Sequence, residues 1–349
     1  MKAFSTGRKI TSFALLIAGA AMLIIALIMD FSGSQSGIRG PLLVIGLVAL
    51  LAGLYLFPTL KYHKNIINVL FLFPLLFTFA VTVIIPLILG IFYSMTDWTG
   101  IGYTHFVGLS NYIAMFKEVS FLWSLLLTIL FVLVNMIMVN LVGFALALLC
   151  TSRLKGVGFF RAAYFLPNLI GGIVLGYVWQ FVFNNVLIQL TNTSLLSNSG
   201  PAFAAIIVVY VWQYAGYIML IYVNGLVTVP GDVIEAAAID GANSFTTLMR
   251  IRIPMIASTI TICTFLTLTS AFKQFDVNMA LTNGTGSISN FMGQYLTNGT
   301  QMLALNIYKT AVINNKYAFG EAKAVIFFMI LAFISILQVY VSNKKEAEL

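Results

Sequence analysis

Charge is the scarcest property of this 349-residue sequence. Only 8% of its residues are Asp, Glu, Lys or Arg, whereas soluble domains hold about 25%. Hydrophobic residues make up 60% of the chain, against about 45–50% in soluble domains. A soluble core cannot bury that much apolar surface, so the sequence indicates an integral membrane protein.

Cysteine and histidine are also rare, with two of each. Cys150 and Cys263 both fall within apolar runs, which favours two buried thiols over a disulfide framework. His63 and His105 are far apart, and neither stands at metal-ligand spacing. The sequence contains no Walker-type phosphate loop and no nucleophile elbow. We therefore expect no metal site, cofactor site or catalytic residue in this chain.

What the sequence has instead is a series of apolar runs. A helix that spans a membrane needs about 20 mostly apolar residues, and we predict eight such helices in an all-α polytopic fold. Seven of the runs are 10–29, 41–58, 66–94, 121–150, 202–227, 253–272 and 322–342. The remaining one enters at Phe165 and ends before a polar loop at 184–200. The first run is too long for the apolar part of a signal peptide, so we interpret it as a retained anchor.

The basic residues are divided unevenly between the two sides of these predicted helices. One side holds Lys2, Arg8, Lys9, Lys61, Lys64, Arg153, Lys155, Arg161, Arg250, Arg252, Lys344 and Lys345. The other side holds only Arg39, Lys117, Lys309 and Lys316, with Lys273 and Lys323 near the ends of runs. The positive-inside rule then predicts that both termini and the loop 229–254 are cytoplasmic, and that the polar segment 276–317 is external. This asymmetry accounts for the net charge of +8 without any nucleic acid.

The loop 229–254 has the composition of a soluble segment between two apolar runs. Asp232 and Glu235 have the spacing of a capping box at a helix start. Gly241 follows the alanine-rich stretch at the position where glycine ends a helix in a left-handed conformation. Asn243 or Ser244 can cap a second short helix, and Pro254 bounds its far side.

The same residues carry a resemblance to a known family. Glu235, Ala236 and Ala237, then Gly241, and then Ile251, Ile253 and Pro254 resemble the EAA signature of permease subunits of bacterial ABC importers. The stretch from Val229 to Ala242 is similar to the carbohydrate-uptake branch. The resemblance covers the chain from about Asn65 and implies a six-helix core at 65–349, preceded by an accessory two-helix hairpin at 1–64.

The resemblance also implies partners and a role for the loop. Its short helix would dock on a dimer of ATPase subunits, which would carry ATP and Mg²⁺. The residues implied in this contact are Asp232, Glu235, Ala236, Ala237, Asp240, Gly241 and Pro254. A second permease, giving a heterodimer, and an extracellular solute-binding protein would complete an importer of sugars or oligosaccharides in the bacterial cytoplasmic membrane. The permease chain itself would not be an enzyme.

Polar residues within the apolar runs are candidates for substrate contacts, because such residues are costly there and tend to face a cavity. Before the loop, one helical face is predicted to hold Tyr210, Gln213, Tyr214 and Tyr217. Aromatic rings stack on sugars, and phenol and amide groups bond to sugar hydroxyls. After the loop, a second face is predicted to hold Thr267, Ser270 and Gln274. The alternative for the tyrosines is an interfacial belt or a helix contact.

Some alternatives stay open on the sequence. Lys273 and Asp276 have i, i+3 spacing, which favours an external salt bridge over a substrate role. The cargo of an ABC importer can instead be a glycerophosphodiester or a polyamine, although the runs lack the charges that such cargo requires. An ion-coupled secondary transporter would need ionisable residues within its helices, and the runs are almost bare of them.

Overall fold

The computed structural model describes residues 6–31, 37–57, 63–101, 104–152 and 155–347, which are mostly helical. In chain order the α-helices are α1 (Thr6–Phe31), α2 (Arg39–Tyr55), α3 (His63–Phe79), α4 (Ile85–Ser94), α5 (Ser110–Lys117), α6 (Val119–Cys150), α7 (Val157–Leu169), α8 (Gly172–Phe181), α9 (Ile188–Thr191), α10 (Ser199–Val227), α11 (Gly231–Ile239), α12 (Ser244–Thr247), α13 (Ile253–Met255), α14 (Ala257–Phe272), α15 (Asp276–Thr282), α16 (Leu303–Tyr308) and α17 (Tyr317–Ala347). Turns of π-helix lie at Ala80–Ile84, Val182–Val186, Leu248–Arg252 and Lys309–Ile313, and strands β1 (Ile288–Phe291) and β2 (Gln294–Leu296) form an antiparallel hairpin.

Four helical segments among these residues are long and apolar enough to cross a membrane: Phe71–Ser94, Val119–Cys150, Ser199–Val227 and Tyr317–Ser342. Two bent pairs raise the number to six if each pair is one span. These pairs are Val157–Leu169 with Gly172–Val186, bent by 97°, and Ser244–Met255 with Ala257–Phe272, bent by 74°. The chain is therefore a multi-pass helical membrane protein.

The two predicted N-terminal spans form α1, of 26 residues, and α2, of 17 residues. Neither helix is among the four to six candidate spans of the described residues. The predicted number of eight spans is thus not confirmed. Three residues of the charge count, Lys2, Lys61 and Arg153, lie outside the described residues.

The chain divides into two compact units, Met1–Leu89 and Gly90–Leu349. In the first unit α1 packs on α2, and the buried Ser12 hydroxyl donates a hydrogen bond to the carbonyl oxygen of Gly53 at 2.8 Å. Close packing of this kind uses small residues, as is usual between membrane helices. The predicted division between a hairpin at 1–64 and a core at 65–349 stays a prediction.

In the second unit, α10 lies at the centre of the main hydrophobic core and packs on α6, α7 and α14. The crossing of α10 over α7 is close, because a Cβ atom on Gly216 would overlap the carbonyl oxygen of Tyr164. A larger residue at this position would push the two helices apart. The path of the bent pair α7–α8 is therefore fixed against α10.

Two glycines on the bent pair α7–α8 let another backbone approach closely. A Cβ atom on Gly172 would lie 2.7 Å from Cβ of Asp276, and one on Gly176 would lie 2.6 Å from Cβ of Ala280, whereas Gly171 has open space around it. The backbone that approaches them is α15, which belongs to the segment predicted as a polar loop.

Residues 273–316, which we call the cap segment, fold into α15, the β-hairpin and α16. The amide of buried Asn278 bridges this segment: its Nδ2 donates to the carbonyl oxygen of Thr300 at 2.7 Å, and its Oδ1 accepts from the backbone N–H of Met302 at 3.1 Å. The cap segment is therefore polar in sequence but packed in structure, because its polar groups satisfy one another.

A buried lysine ties the cap segment to its neighbours. The Nζ atom of Lys323, on α17, lies 2.8 Å from Oε2 of Glu118 and donates to Oδ1 of Asn306 at 2.9 Å and to Oγ1 of Thr310 at 2.8 Å. Lys323 has no exposed surface, so its charge is fully paired inside the protein. This arrangement joins the start of α6, the cap segment and α17.

Candidate functional site

The loop 229–254 contains α11, whose start differs from the predicted capping box. The helix begins at Gly231, and its N-cap Pro230 has no side chain that can accept a hydrogen bond. Asp232 lies in the first turn, and Glu235 follows farther inside the helix with its side chain exposed. The predicted box is therefore wrong, because the helix begins two residues earlier than the box requires.

The end of α11 agrees with the sequence prediction. Gly241 has φ +81°, which is in the left-handed region. Its N–H donates to the carbonyl oxygen of Ala238 at 3.1 Å, and the N–H of Ala242 donates to the carbonyl oxygen of Ala237 at 2.9 Å. These two bonds form a Schellman motif, which satisfies the last carbonyl groups of the helix and reverses the chain.

Asn243 then starts the second helix, since its Oδ1 accepts the N–H of Thr246 at 2.8 Å. Asn243 rather than Ser244 is thus the cap. Pro254 lies within α13 and does not end the helical path. The 74° bend comes after Met255, at Ile256, where α14 takes over.

The predicted contact residues of this loop lie mostly at the surface. Ala237 is buried, Pro254 is half-buried, and Asp232, Glu235, Ala236, Asp240 and Gly241 are exposed. The structure adds two exposed apolar side chains that sequence reasoning missed, Ile239 at 87% and Phe245 at 67% exposure. The sequence could have indicated them, because both lie beside the motif in a segment that is otherwise rich in Ala and polar residues. The loop thus presents an apolar surface together with its acidic residues.

The four predicted residues lie along α10, but they are buried to different degrees. The rings of Tyr210 and Tyr214 stack with centroids 4.3 Å apart. Tyr210 is fully buried, whereas Tyr214 and Tyr217 are half-buried. The buried Gln213 donates through Nε2 to the carbonyl oxygen of Ile170 at 3.3 Å, in the break between α7 and α8. The face therefore has two tyrosines at its surface and a tyrosine and an amide beneath them.

The predicted face after the loop is less continuous. Thr267 is buried, and its hydroxyl donates to the carbonyl oxygen of Cys263 at 2.8 Å and accepts from Nδ2 of Asn140 at 3.2 Å. Ser270 is half-buried. Because α14 ends at Phe272, Gln274 does not extend the helical face of the other two residues. The prediction that the three share one helical face is therefore wrong.

Two buried polar atoms near these helices have no hydrogen-bond partner among the described residues: the hydroxyl of Tyr210 and Nε2 of Gln274. A buried polar group without a partner is costly. A hydroxylated ligand or water can supply such partners after a modest change in side-chain packing. On the two predicted faces, these two atoms are therefore free to form a hydrogen bond with a ligand.

A polar connection between three helices was missed by sequence reasoning. The Tyr222 hydroxyl donates to Oδ1 of Asn140 at 2.9 Å, and Nδ2 of Asn140 reaches Thr267. This joins α6, α10 and α14. An Asn within the apolar run 121–150 was the signal, since intramembrane polar residues need partners.

The predicted salt bridge between Lys273 and Asp276 is not among the ion pairs of the described chain. Those ion pairs are His105 with Asp97 and Lys323 with Glu118. The reason is that α14 ends at Phe272 and α15 begins at Asp276, so the i, i+3 spacing does not fall on one helix.

Asp97 belongs to the connection between α4 and α5. Its Oδ1 accepts the backbone N–H of His105 at 2.7 Å, and its Oδ2 lies 3.1 Å from Nδ1 of His105. These hydrogen bonds hold the pKa of Asp97 below its ordinary value. In the part of the chain that the structure describes, no three His, Cys, Asp or Glu side chains cluster as metal ligands would.

Comparison with known proteins identifies the class of this fold. Residues 143–346 match the family described as the binding-protein-dependent transport system inner membrane component. The chain is 39% identical, over 83% of its length and 98% of the relative, to the probable starch degradation products transport system permease protein AmyD of Thermoanaerobacterium thermosulfurigenes. It is 31% identical, over 75% of its length and 90% of the relative, to the multiple sugar-binding transport system permease protein MsmF of Streptococcus mutans.

Solved structures have the same fold at low sequence identity. A bacterial ABC transporter involved in the import of the acidic polysaccharide alginate superposes with a TM-score of 0.68 at 16% identity, over 81% of this chain and 97% of that chain. A bacterial alginate ABC transporter in complex with alginate pentasaccharide-bound periplasmic protein gives the same score over 82% and 97%.

The fold and the matched sequence define a polytopic membrane component of a transport system. The chain belongs to the family of binding-protein-dependent transport system inner membrane components. The predicted ABC permease is confirmed, and with it the prediction that the chain is a transport component rather than an enzyme.

Proposed function

We propose that this permease subunit moves a carbohydrate, a sugar or an oligosaccharide, into the bacterial cytoplasm. The observation that carries the proposal is the 39% identity to a permease for starch degradation products over 98% of that relative. A charge-poor aromatic and amide face on α10 is chemically consistent with this cargo, because rings stack on sugars and amides bond to their hydroxyls.

The proposed contacts with the cargo are Tyr210, Gln213, Tyr214 and Tyr217 on α10, with Thr267, Ser270 and Gln274 after the loop. In the structure described here Tyr214, Tyr217 and Ser270 are the accessible members. The buried members would contribute once cargo enters and the packing of Tyr210 under Tyr214 relaxes. The unpaired hydroxyl of Tyr210 and the unpaired amide of Gln274 support their inclusion.

The proposed energy source lies in partner subunits. A dimer of ATPase subunits, holding ATP and Mg²⁺, would receive α11 in a groove, with Ile239 and Phe245 as apolar contacts beside the acidic residues of the loop. A second, different permease would form the other half of the path, and an extracellular solute-binding protein would deliver the cargo. Closure of the ATPase dimer would then move α11 and the helices attached to it.

Gly241→Val tests the coupling role of α11. A β-branched residue at φ +81° is strained, at a cost of about 1 kcal/mol or more. We expect uptake by the reconstituted complex to fall more than tenfold and the ATPase to be lost from a pull-down on the purified permease. Binding of cargo to the solute-binding protein should not change.

Gly231→Val is the matched control for this experiment. Gly231 is also exposed, and a Cβ atom there meets no other group, but its φ is not in the left-handed region. We expect near-normal uptake and ATPase retention in the control. Normal uptake and retention in Gly241→Val would mean that this loop does not couple the permease to the ATPase.

Tyr214→Ala and Tyr217→Ala test the cargo face. One stacked aromatic ring is worth about 0.5–1.5 kcal/mol beyond area burial, so we expect uptake of labelled maltotriose to fall by roughly two- to tenfold in each variant. Tyr177→Ala on α8, which removes an exposed tyrosine that belongs to neither face, is the control. Wild-type uptake in both test variants, with the complex intact, would move the site elsewhere.

Single cysteines test the proposed topology, in which both termini are cytoplasmic and the cap segment is external. Ser289 is exposed in the hairpin of the cap segment, and Ser342 lies near the end of α17. A membrane-impermeant thiol reagent added outside intact cells should modify a cysteine at position 289 and not one at position 342. The reverse pattern would invert the orientation.

A further inference from the structure

Asp276 lies at the point where the proposed cargo face meets the bent pair α7–α8. Its side chain sits over Gly172, so closely that a Cβ atom on this glycine would lie 3.0 Å from Oδ2 of Asp276. Gln213 of the cargo face bonds to Ile170 in the same break. Helix α15, which begins at Asp276, also packs on α10. The exposed carboxylate therefore lies beside the break that Gln213 of the cargo face contacts.

The charge of Asp276 is not neutralised within the described residues. Asp276 is exposed, and the cation nearest in sequence, Lys273, forms no ion pair with it. Lys273 follows the end of α14 and Asp276 begins α15, so the two residues do not share a helix, as described above. An unpaired carboxylate thus stands beside a face that otherwise carries only phenol, hydroxyl and amide groups.

We propose that Asp276 is a specificity-determining residue that admits neutral sugars to the cargo face and disfavours acidic ones. This inference rests on the proposed function and names the substrate class of the same site. An acidic sugar stacked on Tyr214 would bring its carboxylate near a fixed negative charge, and like charges repel most where water is partly excluded. A neutral sugar can instead donate its hydroxyl groups to the carboxylate.

A cysteine reporter measures this charge without any cargo. Tyr214→Cys is introduced into the permease within its full complex, and the rates of modification by a cationic and an anionic methanethiosulfonate of similar size are compared. The chain without the reporter gives the background, since Cys150 and Cys263 are buried. We expect the cationic reagent to react faster, and addition of Asp276→Asn to lower the ratio of the two rates by about tenfold.

Two matched variants separate a charge effect from a structural one. Asp276→Glu keeps the charge and should keep the ratio, whereas a purely structural role at the start of α15 would not distinguish Glu from Asn in this way. Lys273→Gln removes an exposed charge that forms no ion pair with Asp276 and should leave the ratio within about twofold. A ratio unchanged by Asp276→Asn, or a reporter that neither reagent modifies, would overturn the proposal.

Transport provides a second measurement. Maltotriose and the aldonic acid obtained by oxidising its reducing end differ by one carboxylate and by the opened terminal ring. The ratio of their uptake is compared between wild type and Asp276→Asn with the same solute-binding protein. The solute-binding protein is the same in both measurements, so its contribution to the ratio cancels. We expect the preference for maltotriose over the acid to fall several-fold in Asp276→Asn. A failure of all sugar uptake in the wild-type complex would count against the proposed function, and the labelling ratio would still decide the role of Asp276.

Discussion

Two polar segments that connect membrane helices, the loop 229–254 and the cap segment, use their polar residues in opposite ways. In α11 of the loop, Ala237 is the buried residue, and the acidic side chains are exposed. In the cap segment Asn278, Thr300 and Asn306 are almost fully buried. The loop thus leaves its polar side chains at the surface, whereas the cap segment is part of the core.

The difference shows that polarity in a sequence does not by itself predict exposure. A polar residue is exposed when nothing within the chain can pair with it, and it is buried when a neighbour supplies the complementary donor or acceptor. The loop leaves Ile239 and Phe245 uncovered because their partners lie on another protein under the proposed function. The cap segment contains its own partners, and Lys323 completes them.

Among the variants that test the contrast between the loop and the cap segment, Lys323→Met should change stability most. Removal of the buried ammonium leaves Asn306, Thr310 and the partly exposed Glu118 without their shared donor, which costs about 1–3 kcal/mol. We expect a clear fall in the thermal unfolding temperature of the purified permease. Lys316→Met is the control, because Lys316 is exposed and surface changes usually stay within about 0.5 kcal/mol.

A double variant sharpens the same prediction. Glu118→Gln added to Lys323→Met removes the stranded charge, so the double variant should be more stable than Lys323→Met alone. Equal unfolding temperatures for wild type and Lys323→Met would mean that the cap segment does not depend on this pair.

Asn243→Ala should produce a smaller and local effect in the loop. Loss of a helix N-cap costs about 0.5–2 kcal/mol, and hydrogen exchange of the peptide 244–252 should accelerate accordingly. Ser244→Ala should leave the exchange rate nearly unchanged, because the structure assigns the cap to Asn243. Equal acceleration in both variants would contradict the observed cap.

Glu235→Ala should change stability least within the loop. Its carboxylate makes no cap bond, so the change in the free energy of unfolding should be below about 0.5 kcal/mol. Uptake should fall less than in Gly241→Val, through loss of a contact with the ATPase. A large drop in unfolding temperature would show that Glu235 has a structural partner after all.

The exposed pair of Asp97 and His105 should have the smallest effect on stability, in contrast to the buried Lys323. Because the pKa of Asp97 is lower in the folded protein than its ordinary value of 3.8, its ionised form stabilises the loop above that value. The contribution is lost as the pH falls through the folded pKa. Protection of the His105 amide from hydrogen exchange, corrected for intrinsic rates, should decline over this range in wild type. Asp97→Asn should lack the decline, and a wild-type amide whose protection is independent of pH would contradict the prediction.

Sequence alone predicted the features that depend on local chemistry. The sequence identified Gly241 and limited the N-cap to Asn243 or Ser244, because a left-handed turn and an N-cap each require a particular residue type within a few positions. The capping box failed because its spacing was right but the helix starts at Gly231. The apolar run 253–272 ends where α14 ends, but the predicted face with Gln274 and the predicted pair of Lys273 with Asp276 assumed that the helix continued beyond it. The pairing of Lys323 joins residues about 200 positions apart, and no local pattern reports such contacts.

The position of Lys323 along the chain also has a consequence for biogenesis. Glu118, Asn306 and Thr310 are all synthesised before Lys323, so the groups that bind its ammonium exist before α17 leaves the ribosome. A lysine within a membrane helix is costly to insert on its own. The translocon therefore receives the last helix when its partners are already available, and truncation after the cap segment would leave those partners in the nascent chain without their cation.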